Sequence, residues 1–260
     1  MQFRPKKSLG QNFLVDENIL KKIVDIGDIN KNDKILEIGP GTGNLTKYII
    51  NAKSKNITVV EKDIDLVKIL KDRFKGKVKI INCDVLKLSE NFYIDEFIVY
   101  GNLPYNISTQ ILAYWCLSKN IKFKKLILLF QKEVADRIIA RVNTKNYSRI
   151  TILANWKFHI KKILDLNPEC FSPRPKIKST LLEFTPKKNI IEINSPKNLE
   201  NITKIFFNQR RKMVKKNFIK LFKNFDDVSK KIGIKLSDRP QNISVEKFLM
   251  IVKKLEDGLK

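Results

Sequence analysis

Three cysteines, Cys83, Cys116 and Cys170, are too few and too widely spaced for a disulfide framework or a CxxC metal site. Buried, reduced thiols in a cytoplasmic protein account for them. No run of about 18 apolar residues occurs, which excludes a transmembrane helix. The opening MQFRPKKSLGQNFL holds no apolar stretch before polar residues return, which argues against a secretory signal. Acidic residues are scarce: 27 Asp and Glu stand against 52 Lys and Arg, a net charge of +25. Arginine is scarce too, with 9 of those 52 positions, the other 43 being Lys. The charge points to a polyanionic partner, nucleic acid first and an acidic membrane surface second. A rival source for part of it is an A/T-rich coding bias, which also raises Ile and Asn and places lysine on solvated faces.

The chain does have the means to fold. Its 260 residues suit one large or two modest domains, and 43% are apolar, with 16 Phe among them. That excludes a disordered basic tail and allows a core without disulfide staples. Five β-branched runs, Lys34–Gly39, Ile57–Glu61, Val78–Asn82, Phe97–Gly101 and Leu126–Phe130, read as strands. Gly43–Ala52, Ile64–Phe74 and Thr109–Leu117 read as helices between them, so the pattern predicts βαβ units and a mostly parallel sheet. Two later runs, Ile150–Ile160 and Ile177–Phe184, predict an antiparallel hairpin at one end of that sheet.

Composition shifts at Pro186, and Thr185–Pro196 reads as a linker. Beyond it the apolar spacing is helical: Ile202, Ile205 and Phe206, then Val214, Phe218, Leu221 and Phe222, then Val245, Phe248, Leu249 and Val252. The expected organisation is a catalytic α/β domain over 1–185 and a small helical domain over 186–260. The second carries about twice the charge density of the first. Arg210, Arg211, Lys212, Lys215 and Lys216 concentrate it and are candidate RNA contacts; a solvated helix face is the plain alternative.

The first strand runs into Glu37-Ile38-Gly39-Pro40-Gly41-Thr42-Gly43-Asn44, a glycine-rich turn between strand and helix. Glycine permits positive φ and close backbone approach, and the helix start offers free N–H groups. A nucleotide or nucleoside fits there. The GxGxG spacing lacks the third glycine of a dinucleotide site, which disfavours a dehydrogenase, and it lacks the GK[ST] ending of a P-loop. Glu61 closes the second strand, where an acid accepts hydrogen bonds from ribose hydroxyls, and Asp84 follows the third in the same way. An exposed strand-end carboxylate is the bland reading of each.

Most informative is Gly101-Asn102-Leu103-Pro104-Tyr105-Asn106-Ile107-Ser108-Thr109, after the fourth strand. The exocyclic amine of adenine is a poor nucleophile, because its lone pair is delocalised into the ring. An enzyme that alkylates it must accept hydrogen bonds from its N–H groups. The amide oxygen of Asn102 and the backbone carbonyl of Leu103 are such acceptors, Pro104 fixes the turn, and Tyr105 offers a ring for stacking. A plain turn capped by Ser108 or Thr109 is the competing reading. His159, the only histidine, alternates with Trp156, Phe158 and Ile160, which places it on a strand's polar face and away from chemistry. Arg137 and Arg141 fall one helical turn apart, positions that suit a phosphate contact or a solvated face equally.

Together, Gln11-Asn12-Phe13-Leu14, the Gly39–Gly43 turn, Glu61, Asp84 and Asn102–Thr109 resemble the S-adenosylmethionine-dependent ribosomal RNA adenine N6-dimethyltransferases over nearly the whole chain. Phe171–Ser179 and Phe207–Lys212 resemble the small-subunit (KsgA-type) branch in particular. One departure is Lys178, where that branch commonly carries an acid. The resemblance implies a class I methyltransferase fold, a Rossmann-like sheet with a small C-terminal all-helical domain. It implies S-adenosylmethionine as cofactor and S-adenosylhomocysteine as product. Gln11, Asn12, Leu14, Gly39, Gly41, Glu61, Lys62, Asp84, Val85 and Asn102 would contact the cofactor. Asn102, Leu103, Pro104 and Tyr105 would form the catalytic quartet, and Phe171 would pack on the target base's other face. From the residues alone, Phe171 reads as a core anchor, and Gln11–Leu14 reads equally as a loop before the next helix.

The implied reaction is successive methylation of two adjacent adenosines in the loop of the last helix of small-subunit rRNA. The partner is that rRNA within a small ribosomal subunit or its precursor. A cytoplasmic monomer with no metal and no membrane contact is expected. Because the family pattern begins by about Ser8, no transit peptide is expected. Two alternatives stay open: a large-subunit adenine methyltransferase of the erythromycin-resistance type, and a non-catalytic RNA-binding assembly factor that kept the fold.

Overall fold

The computed structural model describes residues 5, 6 and 10–258; Ser8 and the first four residues of the opening stretch lie outside the described residues. The chain divides into two compact units. One comprises the chain up to Tyr114 with Asn120–Ala135 and Ile160–Pro186, and the other comprises Trp115–Lys119, Asp136–His159 and Lys187–Lys260.

In chain order the strands are β1 (Phe13–Leu14), β2 (Lys34–Ile38), β3 (Asn56–Glu61), β4 (Lys79–Asn82), β5 (Phe97–Asn102), β6 (Phe123–Gln131), β7 (Phe158–Leu166), β8 (Phe171–Ser172) and β9 (Ser179–Pro186). The helices are α1 (Glu17–Ile26), α2 (Asn44–Ile49), α3 (Ile64–Phe74), α4 (Ser108–Leu117), α5 (Lys132–Ile138), α6 (Arg149–Lys157), α7 (Pro196–Asn208), α8 (Lys215–Leu221), α9 (Phe225–Ile232) and α10 (Val245–Glu256).

Seven strands form one sheet in the order β4-β3-β2-β5-β6-β9-β7. Strands β2 to β6 pair in parallel, and β9 pairs antiparallel with β6. All five strands read from the sequence are present. Their apolar runs are continuous because parallel strands are covered on both faces: Ile35, Leu36, Ile98, Val99, Leu126 and Leu128 are all fully buried. The order reverses beside β2, so the β2 and β5 carboxyl ends form the crevice where open parallel sheets bind ligands.

One sequence expectation is corrected. Ile150–Ile160 is not one strand: Arg149–Lys157 is helix α6, and β7 begins only at Phe158. Ile150, Thr151, Ile152, Leu153 and Ala154 are all buried. A helix covered all round shows no helical period, and its run of β-branched residues mimics a strand. Trp156 is helical and donates from Nε1 to the Ile191 carbonyl at 3.0 Å. His159 lies exposed on β7.

In the second unit, helices α7, α8 and α10 form where the tail's apolar spacing predicts helix, and α9 is a further helix that the spacing does not single out. Phe206 packs edge-on against Phe218 and Phe248, at ring centroid distances of 5.9 and 5.4 Å. Ile205, expected on the same face as Phe206, is instead turned to solvent. The stretch after Pro186 packs on α6: Lys187 donates from its amide to the Lys157 carbonyl and from Nζ to the Asn155 carbonyl.

Candidate active site

A cavity of about 190 Å³ opens at the carboxyl ends of β2, β3, β4 and β5. Its floor is the glycine turn after β2. Gly41 has φ +59°, and a Cβ there would stand 2.5 Å from the Phe13 ring, so only glycine permits that approach. The Gly41 amide donates to Glu61 Oε2 at 3.2 Å, and the Asp63 amide donates to Oε1 at 2.9 Å. Glu61 is buried, and desolvation lifts its carboxyl above the ordinary range, although the Asp63, Gly41 and Lys62 amides oppose the rise. With those three amides on it, the carboxylate still has capacity for a further donor.

Asp84 caps the short turn after β4 and accepts from the Leu86 amide at 3.1 Å. Lys62 Nζ meets its other oxygen at 2.9 Å. That hydrogen bond holds the Asp84 carboxyl below the ordinary range against the effect of burial. Val85 is buried beside it and supplies an apolar wall.

The fourth wall is the quartet. Asn102 ends β5, and its Nδ2 donates to the Asn12 carbonyl at 2.6 Å. Leu103 is buried, and its Cδ2 would lie 2.8 Å from a Cβ on Gly101. The strand exit therefore requires a residue without a side chain. The Pro104 carbonyl accepts from the Ile107 amide, which closes a turn into α4. Tyr105 lines the cavity, and its hydroxyl meets Ser179 Oγ at 2.6 Å, which ties the ring to the first residue of β9.

The cavity thus gathers Gln11, Asn12, Gly39, Gly41, Glu61, Lys62, Asp84, Val85, Asn102, Leu103, Pro104 and Tyr105. It does not gather Leu14 or Phe171. These two pair across the short β1–β8 ladder, and both are buried in the core. Leu14 lines a smaller cavity of about 30 Å³ instead. Alternation turns Phe171 inward and leaves Ser172 outside, which matches the core-anchor reading of Phe171.

Sequence reasoning missed Phe13, Cys83 and Asn106 on the cavity wall. It also missed Asp63, whose only sequence signal is an acid two places after Glu61. Glu37, at the base of the glycine turn, is fully buried and lines the smaller cavity. Burial pushes its carboxyl up to about 7, the Glu61 charge adds to the rise, and a 2.6 Å hydrogen bond from Thr46 Oγ1 opposes it. Among the described residues, no group of three or more His, Cys, Asp or Glu could hold a metal ion.

Of the basic tail candidates, Arg211, Lys212, Lys215 and Lys216 are exposed. Arg210 is not free in the same way. Its Nε donates to Gln241 Oε1 at 3.1 Å, and its guanidinium reaches the Thr144 and Lys145 carbonyls.

The sheet order, the glycine turn, the acid that ends β3 and the acid just after β4 define a Rossmann-like methyltransferase fold. The solved 23S rRNA methyltransferase ErmE has this fold, with a TM-score of 0.70 and 21% identity over 94% of this chain and 99% of that one. The family model for ribosomal RNA adenine dimethylase matches residues 2–257, and the chain belongs to that family. It is 55% identical to the ribosomal RNA small subunit methyltransferase A of Pelagibacter ubique, over 99% of both chains. It is 41% identical to the protein of that name in Malacoplasma penetrans, over 95% of this chain and 91% of that one. A solved dimethyladenosine transferase from Plasmodium falciparum aligns with a TM-score of 0.80 and 27% identity, over 95% of this chain and 98% of that one.

Proposed function

We propose that this chain transfers methyl groups to the N6 amines of two adjacent adenosines in the 3′-terminal helix loop of small-subunit rRNA. Each becomes N6,N6-dimethyladenosine. The observation that carries the reading is Asn102. Its Nδ2 is committed to the Asn12 carbonyl, so its oxygen is the atom left to accept from an amine in the cavity.

The residues fit S-adenosylmethionine. Glu61 keeps acceptor capacity for a ribose hydroxyl. Asp84 and Val85 pair an acceptor with an apolar wall, as an adenine ring requires. Gly39 lines the cavity, and only the Asn102 carbonyl, at 3.8 Å, lies within 4 Å of where its Cβ would stand, which leaves a ligand close access to the backbone. When bound, the cofactor supplies an electrophilic methyl group on a sulfonium.

The chain's own residues do the rest. The Asn102 oxygen and Leu103 carbonyl accept from the target amine and orient its lone pair. Tyr105, held by Ser179, offers its ring to the base. No strong general base is needed, because the amine proton becomes acidic only after transfer. Positioning and preorganised acceptors supply most of the rate. The target base leaves its stack to enter, at a cost of about a few kcal/mol that a looped base reduces. Arg211, Lys212, Lys215 and Lys216 meet rRNA phosphates. The protein acts as a cytoplasmic monomer on the small subunit or its precursor. Among the described residues, no helix is long and apolar enough to cross a membrane.

The test is methyl transfer from labelled cofactor to purified unmodified small and large ribosomal subunits. Label is expected in small-subunit rRNA. Label confined to the large subunit would favour the resistance-type reading, and no label in either would favour a non-catalytic role.

A further inference from the structure

Asp63 stands just outside the cavity wall, and its side chain is only 1% exposed. A carboxylate this buried needs partners, and its partners come from far along the chain. Lys6 Nζ meets Oδ1 at 2.7 Å, and Gln11 Nε2 donates to Oδ2 at 3.0 Å. Gln11 Oε1 in turn accepts from the Lys6 amide at 2.7 Å. On its own side, Asp63 caps α3 through the Asp65 amide, and its own amide donates to Glu61 Oε1. Desolvation favours the neutral acid, but the bonds from Lys6, Gln11 and the Asp65 amide outweigh it and keep the carboxyl below its ordinary range.

The Asp63 side chain therefore fastens two walls of the same cavity, with Asp65 Oδ2 on the same Lys6 ammonium at 2.8 Å. Gln11, Asn12 and Phe13 line one side, and Glu61 and Lys62 line another. Capping α3 needs only the Asp65 amide. The bonds to Lys6 and Gln11 serve no helix and no core. What they hold is the N-terminal segment against the β3–α3 turn.

We propose that Asp63 is a positioning residue for the cofactor: its carboxylate latches Lys6 and Gln11 to the β3–α3 turn beside the cavity. This rests on the reading of the cavity as the S-adenosylmethionine site. Lys6 is the outer half of the latch. It is 40% exposed, so its removal leaves the core intact.

The experiment is calorimetric titration of the full chain with S-adenosylhomocysteine, for wild type, Asp63→Asn and Lys6→Ala, with limited proteolysis of the N-terminal segment in parallel. Loss of a charged hydrogen bond in the latch should weaken binding about tenfold in each variant. Cleavage in the N-terminal segment should accelerate in both, while kcat at saturating cofactor stays within about twofold of wild type. That KM-against-kcat split is what a merely structural role would not give. If Lys6→Ala binds as wild type does and its N-terminal segment is cleaved no faster, the latch is overturned. If wild type itself does not bind, the cofactor reading falls and takes the latch with it.

Discussion

The side-chain amide of Asn102 donates to the backbone carbonyl of Asn12 at 2.6 Å, joining positions 90 residues apart. One bond thus orients the residue central to the proposed chemistry and ties the N-terminal segment to the end of β5. Asn102→Ala should lower single-turnover methyl transfer by about 10²-fold or more, the range for losing a preorganised polar group. Asn102→Asp should fail as well, because a carboxylate has no proton to give the Asn12 carbonyl. Circular dichroism should show both variants folded. Wild-type turnover in either would remove Asn102 from the mechanism.

Gly41→Ala places a methyl 2.5 Å from the Phe13 ring, at a φ of +59° that suits glycine alone. The strain falls on the cavity floor. Cofactor affinity should drop by about tenfold or more, with a loss of stability of about 1–3 kcal/mol. Calorimetry and thermal melts measure the two effects. Unchanged affinity would mean that Phe13 yields without disturbing the site.

Glu37 gives a pH prediction with a definite sign. Its folded carboxyl titrates at about 7, above its ordinary 4.5. The neutral form suits the buried site, so Glu37's contribution is complete below pH 4.5 and is lost as pH rises through 7. Glu37→Gln should remove that loss. Its stability relative to wild type should rise between pH 5 and pH 8 by up to ~3 kcal/mol. Urea melts across that range test it, and a pH-independent difference would contradict it.

The basic tail should separate into two kinds of residue. Arg211 and Lys212 are exposed, so their replacement by Ala should leave thermal stability unchanged and reduce the salt dependence of RNA binding by about one counterion each. Arg210 braces Thr144, Lys145 and Gln241, so Arg210→Ala should cost stability, by about 1–2 kcal/mol. Filter binding at several salt concentrations, paired with melts, distinguishes them. Equal behaviour of all three would contradict the assignment.

The parallel strands were legible because each is a short continuous apolar run bounded by polar turns. The shared cavity of Gly39, Glu61, Asp84 and Asn102 was legible for a related reason: all four lie at or just beyond strand ends, which a parallel sheet brings together whatever the loops do. Helix α6 was not legible, since burial on every side erased its period. The burial of Phe171 was legible, since a Phe before Pro173 and Pro175 reads as a core anchor, but the two-residue β1–β8 pairing that turns it inward leaves no periodic signal. Asp63 escaped notice because its partners Lys6 and Gln11 lie 57 and 52 residues away, and only the fold brings them together. The +25 charge said least about the chemistry. Its useful part is the exposed group around Arg211–Lys216.

The account stands or falls on where the methyl groups go. Unmodified small ribosomal subunits incubated with the protein and S-adenosylmethionine should yield, by mass spectrometry of the digested rRNA, two adjacent N6,N6-dimethyladenosines in the 3′-terminal helix loop. The Asn102→Ala protein should yield about a hundredth as much or less in the same single-turnover time. Methylation elsewhere in the rRNA, or equal modification by both proteins, would contradict it.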